Sequence, residues 1–340
     1  MTSAEVANAY DGTATRAGET LLDVKDLVQE FRVSRRGSYR KGTVSAVAGV
    51  SFEIKRGETF AIVGETGSGK STLARALIRA PRPKSGQITL DGHELTGPRA
   101  ASNREVGQLA QMIFQDPFSA LNPKWTIERI ITEPLATAGV PKDVARRRRV
   151  AEILERVGLG ASQFAHRYPY EISGGQAQRV AIGRALVSAP ELVICDEPVT
   201  ALDVSIQAQI LKLLSVLKKE LSLTYLLIAH DLAVVRVLSD RTGTMYLGKF
   251  CEVGATPAIF QHPAHPYTDA LLSAIPPRPG QTIERQRIHL AGEPPSPLSP
   301  PSGCRFHTRC AYVQDICTTE EPKMRPIGPD QNVACHFPLI

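Results

Sequence analysis

Thr59-Phe-Ala-Ile-Val-Gly64-Glu-Thr-Gly-Ser-Gly-Lys70-Ser-Thr72 is the stretch that decides the fold. Thr59–Val63 is a short apolar run ending in glycine, the pattern of a parallel strand buried on both faces. Residues 64–71 match G-x-x-x-x-G-K-[ST], and Thr72 follows. In that pattern the glycines let backbone N–H groups turn inward around phosphate oxygens, and the start of the next helix, Lys70–Ile78, adds its dipole. Gly64, Thr66, Gly67, Ser68, Gly69, Lys70, Ser71 and Thr72 are therefore candidate phosphate contacts. Lys70 would reach the β- and γ-phosphates, and the Ser71 hydroxyl is placed to ligate Mg²⁺.

Two more buried-strand runs follow, Leu192–Cys195 and Tyr225–Ala229, with helical patterns over 176–188 and 204–219. Strands separated by helices imply an α/β fold with a parallel sheet. The first of these runs ends in Asp196 and Glu197. Paired acids closing a buried strand are costly unless cations lie near, and Mg²⁺ and Lys70 would supply them. Asp196 would hold Mg²⁺ through water, and Glu197 would orient or deprotonate an attacking water. Between 117 and 172 the strand signal fades, and Glu128–Thr137 and Lys142–Val157 read as helices of an insertion. The run Arg146–Arg149 inside the second reads as a solvated helix face. Ile172-Ser-Gly-Gly-Gln-Ala-Gln-Arg-Val180 places glycines just before a helix expected from Gln176. It is either a capped glycine turn or a second anion-binding helix start. Beside a P-loop, the economical reading is that it serves another subunit's nucleotide.

The chain has 340 residues, 42% of them apolar and 22% charged, ordinary for a globular protein and unlike a disordered one. No apolar run approaches the roughly 20 residues of a membrane helix. Residues 1–20 lack an apolar signal region and read as a disordered tail, so a cytosolic protein is expected. Lys and Arg total 40 against 34 acids, and the resulting +6 leans only slightly toward anionic partners. Fifteen of the 25 prolines lie from Pro257 onward, which marks a boundary near residue 255. Four of the six cysteines lie beyond it, spaced C-x5-C-x6-C-x17-C: Cys304, Cys310, Cys317 and Cys335. In a Pro-rich segment with little core they suggest a metal staple. Zinc sites favour closer pairs, a [4Fe–4S] cluster tolerates looser spacing, and free or disulfide-linked thiols remain open. His307 and His336 are candidate supporting groups, whereas Cys195 and Cys251 read as core residues.

The order of P-loop, Gln115, Ser173-Gly174-Gly175-Gln176, Asp196-Glu197, Asp203 and His230 resembles the ATP-binding subunit of an ABC transporter over about 22–255. The resemblance implies a P-loop NTPase core over 21–255 with a helical subdomain at about 117–172. It further implies that Gln115 reaches Mg²⁺ and the γ-phosphate, and that His230 contacts the γ-phosphate. Ser173, Gly174, Gly175, Gln176 and Asp203 would act across a dimer interface, although Asp203 also suits a helix cap. Phe31 is the candidate stacker on adenine, with Tyr39 competing inside an apparent insertion at 34–43. With one P-loop and one Ser173–Gln176 signature, the resemblance implies that the chain is half of an ATPase. Pore subunits would be separate chains, docking near Phe118–Trp125, where Trp125 is a contact or a core residue.

Ile113–Pro123, His265–Pro276, Gly292–Cys310 and Cys335–Pro338 look like the dipeptide, oligopeptide and nickel importer branch. That resemblance implies a C-terminal extension over 256–340, tilts the cysteine set toward iron–sulfur, and implies peptide import driven by ATP. The implied partners are a paralogous ATPase subunit, two membrane-spanning permeases and an extracytoplasmic binding protein, with no nucleic acid. The implied location is the cytoplasmic face of the membrane. A nickel importer is the near alternative. A soluble ABC ATPase is the distant one, since the chain has neither a second ATP module nor a long coiled-coil insertion.

Overall fold

The computed structural model describes residues 18–34, 41–275 and 286–339. The tail expected over 1–20 falls outside them up to residue 17, as does Tyr39. The described strands, in chain order, are β1 (Thr20–Ser34), β2 (Lys41–Lys55), β3 (Thr59–Val63), β4 (Ser85–Leu90), β5 (His93–Glu94), β6 (Ala110–Ile113), β7 (Leu192–Asp196), β8 (Thr224–Ile228), β9 (Arg241–Tyr246), β10 (Lys249–Ala255), β11 (Arg325–Gly328) and β12 (Gln331–Val333).

The larger sheet runs β11-β12-β10-β9-β3-β8-β7-β6. Its centre, β9-β3-β8-β7-β6, is parallel throughout. Every residue of β3, β7 and β8 is buried, which is why these strands read as continuous apolar runs. Alternate side chains feed two separate cores. Ala61, Val63, Val193, Cys195, Tyr225 and Leu227 face one; Phe60, Ile62, Leu192, Ile194, Leu226 and Ile228 face the other.

The first core receives helices Ile127–Thr137, Val144–Arg156 and Gly174–Leu186 through Ile130, Ile131, Ile153, Val180 and Ile182. Thr126 and Asp143 cap the first two, each accepting a backbone N–H with its side chain. The arginine run inside Val144–Arg156 is the expected solvated face at Arg147 and Arg148, which are exposed, but not at its two ends. Arg149 is buried with its Nε donating to the Val187 carbonyl at 3.4 Å, and Arg146 Nη1 donates to the Val140 carbonyl at 3.0 Å. A run of four on a 3.6-residue turn must send some members inward.

The second core is closed by an antiparallel sheet, β2-β1-β4-β5, that the sequence pattern did not suggest. Irregularities between Val24 and Leu27 and between Gln29 and Glu30 break the period of two on which such a strand is recognised. At the far edge of the larger sheet, β10 pairs with β12, so the C-terminal segment adds two antiparallel strands to the same sheet as the P-loop strand. No helix among the described residues is long and apolar enough to cross a membrane.

Candidate active site

β3 delivers the chain to Gly64, and helix Lys70–Leu77 leaves from Gly69. Both glycines are obligatory. Gly64 has φ 153° and a Cβ there would stand 2.2 Å from the Met245 carbonyl oxygen; Gly69 has φ 107° and its Cβ would stand 2.1 Å from that of Ala46. Lys70 Nζ donates to the carbonyls of Gly64 at 2.7 Å and Glu65 at 3.0 Å, and to Ser68 Oγ at 3.4 Å. Burial pulls the Lys70 pKa down, against the opposing charges of Glu197, Asp196 and Glu65. A desolvated ammonium in this cage is poised for anionic oxygens.

Ser71 Oγ donates to Asp196 Oδ1 at 2.8 Å, and Arg75 Nη2 lies 3.9 Å from the same carboxylate. Burial pushes the Asp196 pKa up, against the Ser71 hydrogen bond and the Arg75 charge. A hydroxyl beside a buried carboxylate is an oxygen-only donor set of the kind Mg²⁺ takes. The next residue, Glu197, holds φ 49°, a left-handed conformation unusual outside glycine. Its N–H donates to the Ile228 carbonyl at 3.0 Å. Three groups converge on its Oε2: Gln115 Nε2 donates at 2.9 Å, Thr200 Oγ1 at 3.2 Å, and His230 Nδ1 lies 3.2 Å away. Parallel pairing of β6, β7 and β8 brings together the strand ends that carry Gln115, Glu197 and His230. Thr200 gave no signal as a motif residue, although a hydroxyl three residues after Glu197 in a turn is a plain candidate.

Ser173 caps helix Gly174–Leu186. Its Oγ accepts from Gln176 N at 3.4 Å, and Gln176 Oε1 accepts from Ser173 N at 2.9 Å, a reciprocal capping box. The helix therefore starts two residues earlier than Gln176. A Cβ on Gly175 would stand 2.7 Å from Ile206 Cγ2, so the signature packs on the helix Val204–Leu221. Asp203 precedes that helix, is exposed, and makes no side-chain cap bond. Phe31 is 37% exposed on β1 opposite Val44, on the same hairpin whose Ala46 carbonyl abuts Gly69. Phe118 is exposed, whereas Trp125 is half-buried under the Arg129 guanidinium, 4.2 Å from its ring centre.

The chain matches the ABC transporter family over residues 47–200 and the oligopeptide/dipeptide transporter C-terminal region over 251–317. It is 49% identical over 323 residues to the oligopeptide transport ATP-binding protein AppF of Bacillus subtilis, spanning 94% of this chain and 98% of that one. The chain belongs to the oligopeptide/dipeptide group of ABC transporter ATP-binding proteins. It is also 43% identical to the di/tripeptide transport ATP-binding protein DppF of Pseudomonas aeruginosa, covering 94% of this chain and 98% of DppF. Among solved structures it resembles a dimeric ATP-binding cassette in a post-hydrolysis state with ADP and Pi, at TM-score 0.59 and 27% identity, covering 69% of this chain and 99% of that one. It also resembles cbiO1 of Clostridium perfringens, at TM-score 0.60 and 29% identity, covering 71% and 91%.

In this ABC ATPase the four C-terminal cysteines are free thiols lining one cavity with His307, His336 and Phe306. Burial, with the neighbouring Cys304, Cys310 and Cys317, pushes Cys335 up to about 11. Among the described residues no three His, Cys, Asp or Glu side chains converge as a single metal ion requires. The cysteines surround a space without closing on one point. Cys251, read as a core residue, is buried close enough to Cys304 and Cys335 for their charges to add to the rise that burial causes in its pKa. The extension also touches the P-loop. Arg309 pairs with Glu65 at 2.7 Å, and the Glu65 N–H donates to Tyr267 Oη at 2.8 Å. Tyr267 and Arg309 lie in segments that resemble the importer branch, but nothing local marks their contact with Glu65, more than half the chain away.

Proposed function

We propose that this ABC ATPase energises import of di- and oligopeptides, working at the cytoplasmic face of a membrane with a paralogous ATPase subunit, two permeases and an extracytoplasmic binding protein. The observation that carries the chemistry is the convergence of Gln115, Thr200 and His230 on Glu197, beside Lys70 and the Ser71–Asp196 pair. In that site the backbone from Gly64 to Thr72 cradles the phosphates, and Lys70 trades its loop carbonyls for β- and γ-phosphate oxygens. Ser71, Asp196 and Gln115 would hold Mg²⁺, which when bound neutralises charge on the β- and γ-phosphates. Glu197 accepts a proton from the water that attacks the γ-phosphorus as the bond to ADP breaks, and His230 orients that carboxylate. Phe31 stacks on adenine. Ser173, Gly174, Gly175, Gln176 and Asp203 complete the partner's site, which suits an exposed Asp203 unused as a cap.

The cysteines would hold a [4Fe–4S] cluster that ties the extension's loops together. The four thiols lining one cavity support a site there, and zinc is the alternative occupant. Iron and acid-labile sulfide in anaerobically purified protein test that assignment, and stoichiometric zinc overturns it. The peptide class rests on the curated relatives' names and the C-terminal match. Vesicles holding the whole transporter test it. Uptake of a labelled tripeptide, dependent on ATP and blocked by unlabelled peptides, supports the reading; ATP-dependent uptake of nickel alone replaces it.

A further inference from the structure

Every hydrogen-bonding group of Glu65, the second residue of the P-loop, is taken. Its carbonyl accepts from Lys70 Nζ at 3.0 Å, and its N–H donates to Tyr267 Oη at 2.8 Å. Its carboxylate receives both prongs of Arg309, Nη1 to Oε2 at 2.7 Å and Nη2 to Oε1 at 3.1 Å. The carbonyl also accepts from Ser68 N at 3.1 Å, so its bonds are internal to the P-loop, whereas those of the N–H and the carboxylate come from the C-terminal extension. The pair is shielded, with the Arg309 side chain 7% exposed. A two-pronged guanidinium–carboxylate bond fixes orientation as well as distance.

The extension holds these groups rigidly. Tyr267 lies on helix Pro266–Ser273, and its ring packs on Tyr246 with centroids 4.8 Å apart and on Phe306 at 5.3 Å. Arg309 Nη1 also donates to Tyr246 Oη at 3.4 Å. Tyr246 ends β9, the strand paired with the P-loop strand β3, so the aromatic block is anchored on the sheet that carries the loop. Arg309 immediately precedes Cys310 of the cysteine cavity.

We propose that Arg309 and Tyr267 are positioning residues for ATP binding: through Glu65 the C-terminal extension holds the first limb of the P-loop outward, so that the N–H groups after it face the phosphates. Neither residue touches Gln115, Glu197 or His230, so their loss should act on nucleotide affinity and leave the chemical step alone. Affinity and hydrolysis are measured on the full chain carrying Arg309→Gln, Arg309→Lys, Glu65→Gln, Tyr267→Phe, and the double variant Glu65→Gln/Arg309→Gln. Arg309→Gln and Glu65→Gln should each raise Kd and KM for ATP about tenfold, the loss of the two-pronged ion pair, and Arg309→Gln, which lies outside the phosphate cradle, should keep kcat within about twofold. The double variant should be no worse than either single one, because the second change breaks a bond already gone. Arg309→Lys, keeping charge without the fork, should recover part of the affinity. Tyr267→Phe keeps the buried ring and removes only the hydroxyl, so it reports on the second contact even if Arg309→Gln folds poorly. Unchanged affinity in folded Arg309→Gln and Tyr267→Phe, additive losses in the double variant, or a fall in kcat at constant KM would each overturn the proposal.

Discussion

Replacing Glu197 with Gln separates proton acceptance from every other task of the site. The amide matches the carboxylate in shape, and its oxygen can still accept from Gln115, Thr200 and His230 at the position where they converge. The local geometry should therefore survive, φ 49° included. What disappears is the base. A positioned base contributes about 10²- to 10⁴-fold, or about 3–5 kcal/mol of barrier at 1.36 kcal/mol per decade. Binding should be spared, because the Lys70 ammonium is held by Gly64, Glu65 and Ser68 and not by Glu197. Single-turnover phosphate release, paired with equilibrium binding of Mg–ATP, measures both quantities on one preparation. The expected result is slowed release by that factor with Kd changed less than about threefold. Turnover within about tenfold of the parent would refute Glu197 as the base. Equal loss of binding and turnover would refute the separation of roles.

Asp196→Asn should act oppositely on stability and function. Burial raises the Asp196 pKa, so the folded state holds the proton more tightly than the unfolded chain. That contribution favours folding below the ordinary carboxylate pKa and is lost as pH rises through the raised one. At neutral pH, thermal melting of the nucleotide-free variant should therefore move up while Mg²⁺-dependent hydrolysis collapses; a lower melting temperature contradicts the burial argument. His265 gives a second pH signature, since burial depresses its pKa from 6.5 to about 3 while its Nδ1 accepts from Tyr267 N at 3.0 Å. Its stabilising contribution is complete above pH 6.5 and is lost as pH falls toward 3, with a slope of about 1.4 kcal/mol per pH unit for one proton. Denaturant titrations from pH 7 to 5 should show that slope in the parent and a shallower one in His265→Asn, which keeps an acceptor at the helix start; equal slopes contradict it. Gly69→Ala should abolish ATP binding, because its Cβ would meet the Ala46 carbonyl at 2.1 Å; retained affinity in a calorimetric titration contradicts the fit.

What was readable from sequence follows from how each element is stabilised. β3, β7 and β8 are buried on both faces, so the apolar requirement falls on consecutive residues and survives any neighbour. The P-loop is equally local: Gly64 and Gly69 are forced by adjacent backbone, and Lys70 and Ser71 follow by helical geometry. Gln115 and His230 needed a family's spacing to be singled out, because only the sheet register brings them to Glu197. β1 and β2 hid behind irregular pairing, with polar residues such as Gln29 buried among apolar ones. Asp203 was legible as a cap or an interface residue; it stands at the N-cap position of Val204–Leu221 without a side-chain cap bond. Arg309 and Tyr267 lie in segments that carry the family resemblance, but their contact with Glu65 was silent, since one spanning 244 residues from Arg309 to Glu65 leaves no local trace.

On the proposed function this chain supplies half of a shared ATP site, its P-loop facing another subunit's signature. Sedimentation velocity of the Glu197→Gln chain, alone and mixed with its partner ATPase carrying the equivalent change, measures this directly. Mg–ATP should drive one of these samples to twice the mass of the single chain, and ADP should return it to single chains. Chains that bind Mg–ATP and still sediment singly in both settings would contradict the account.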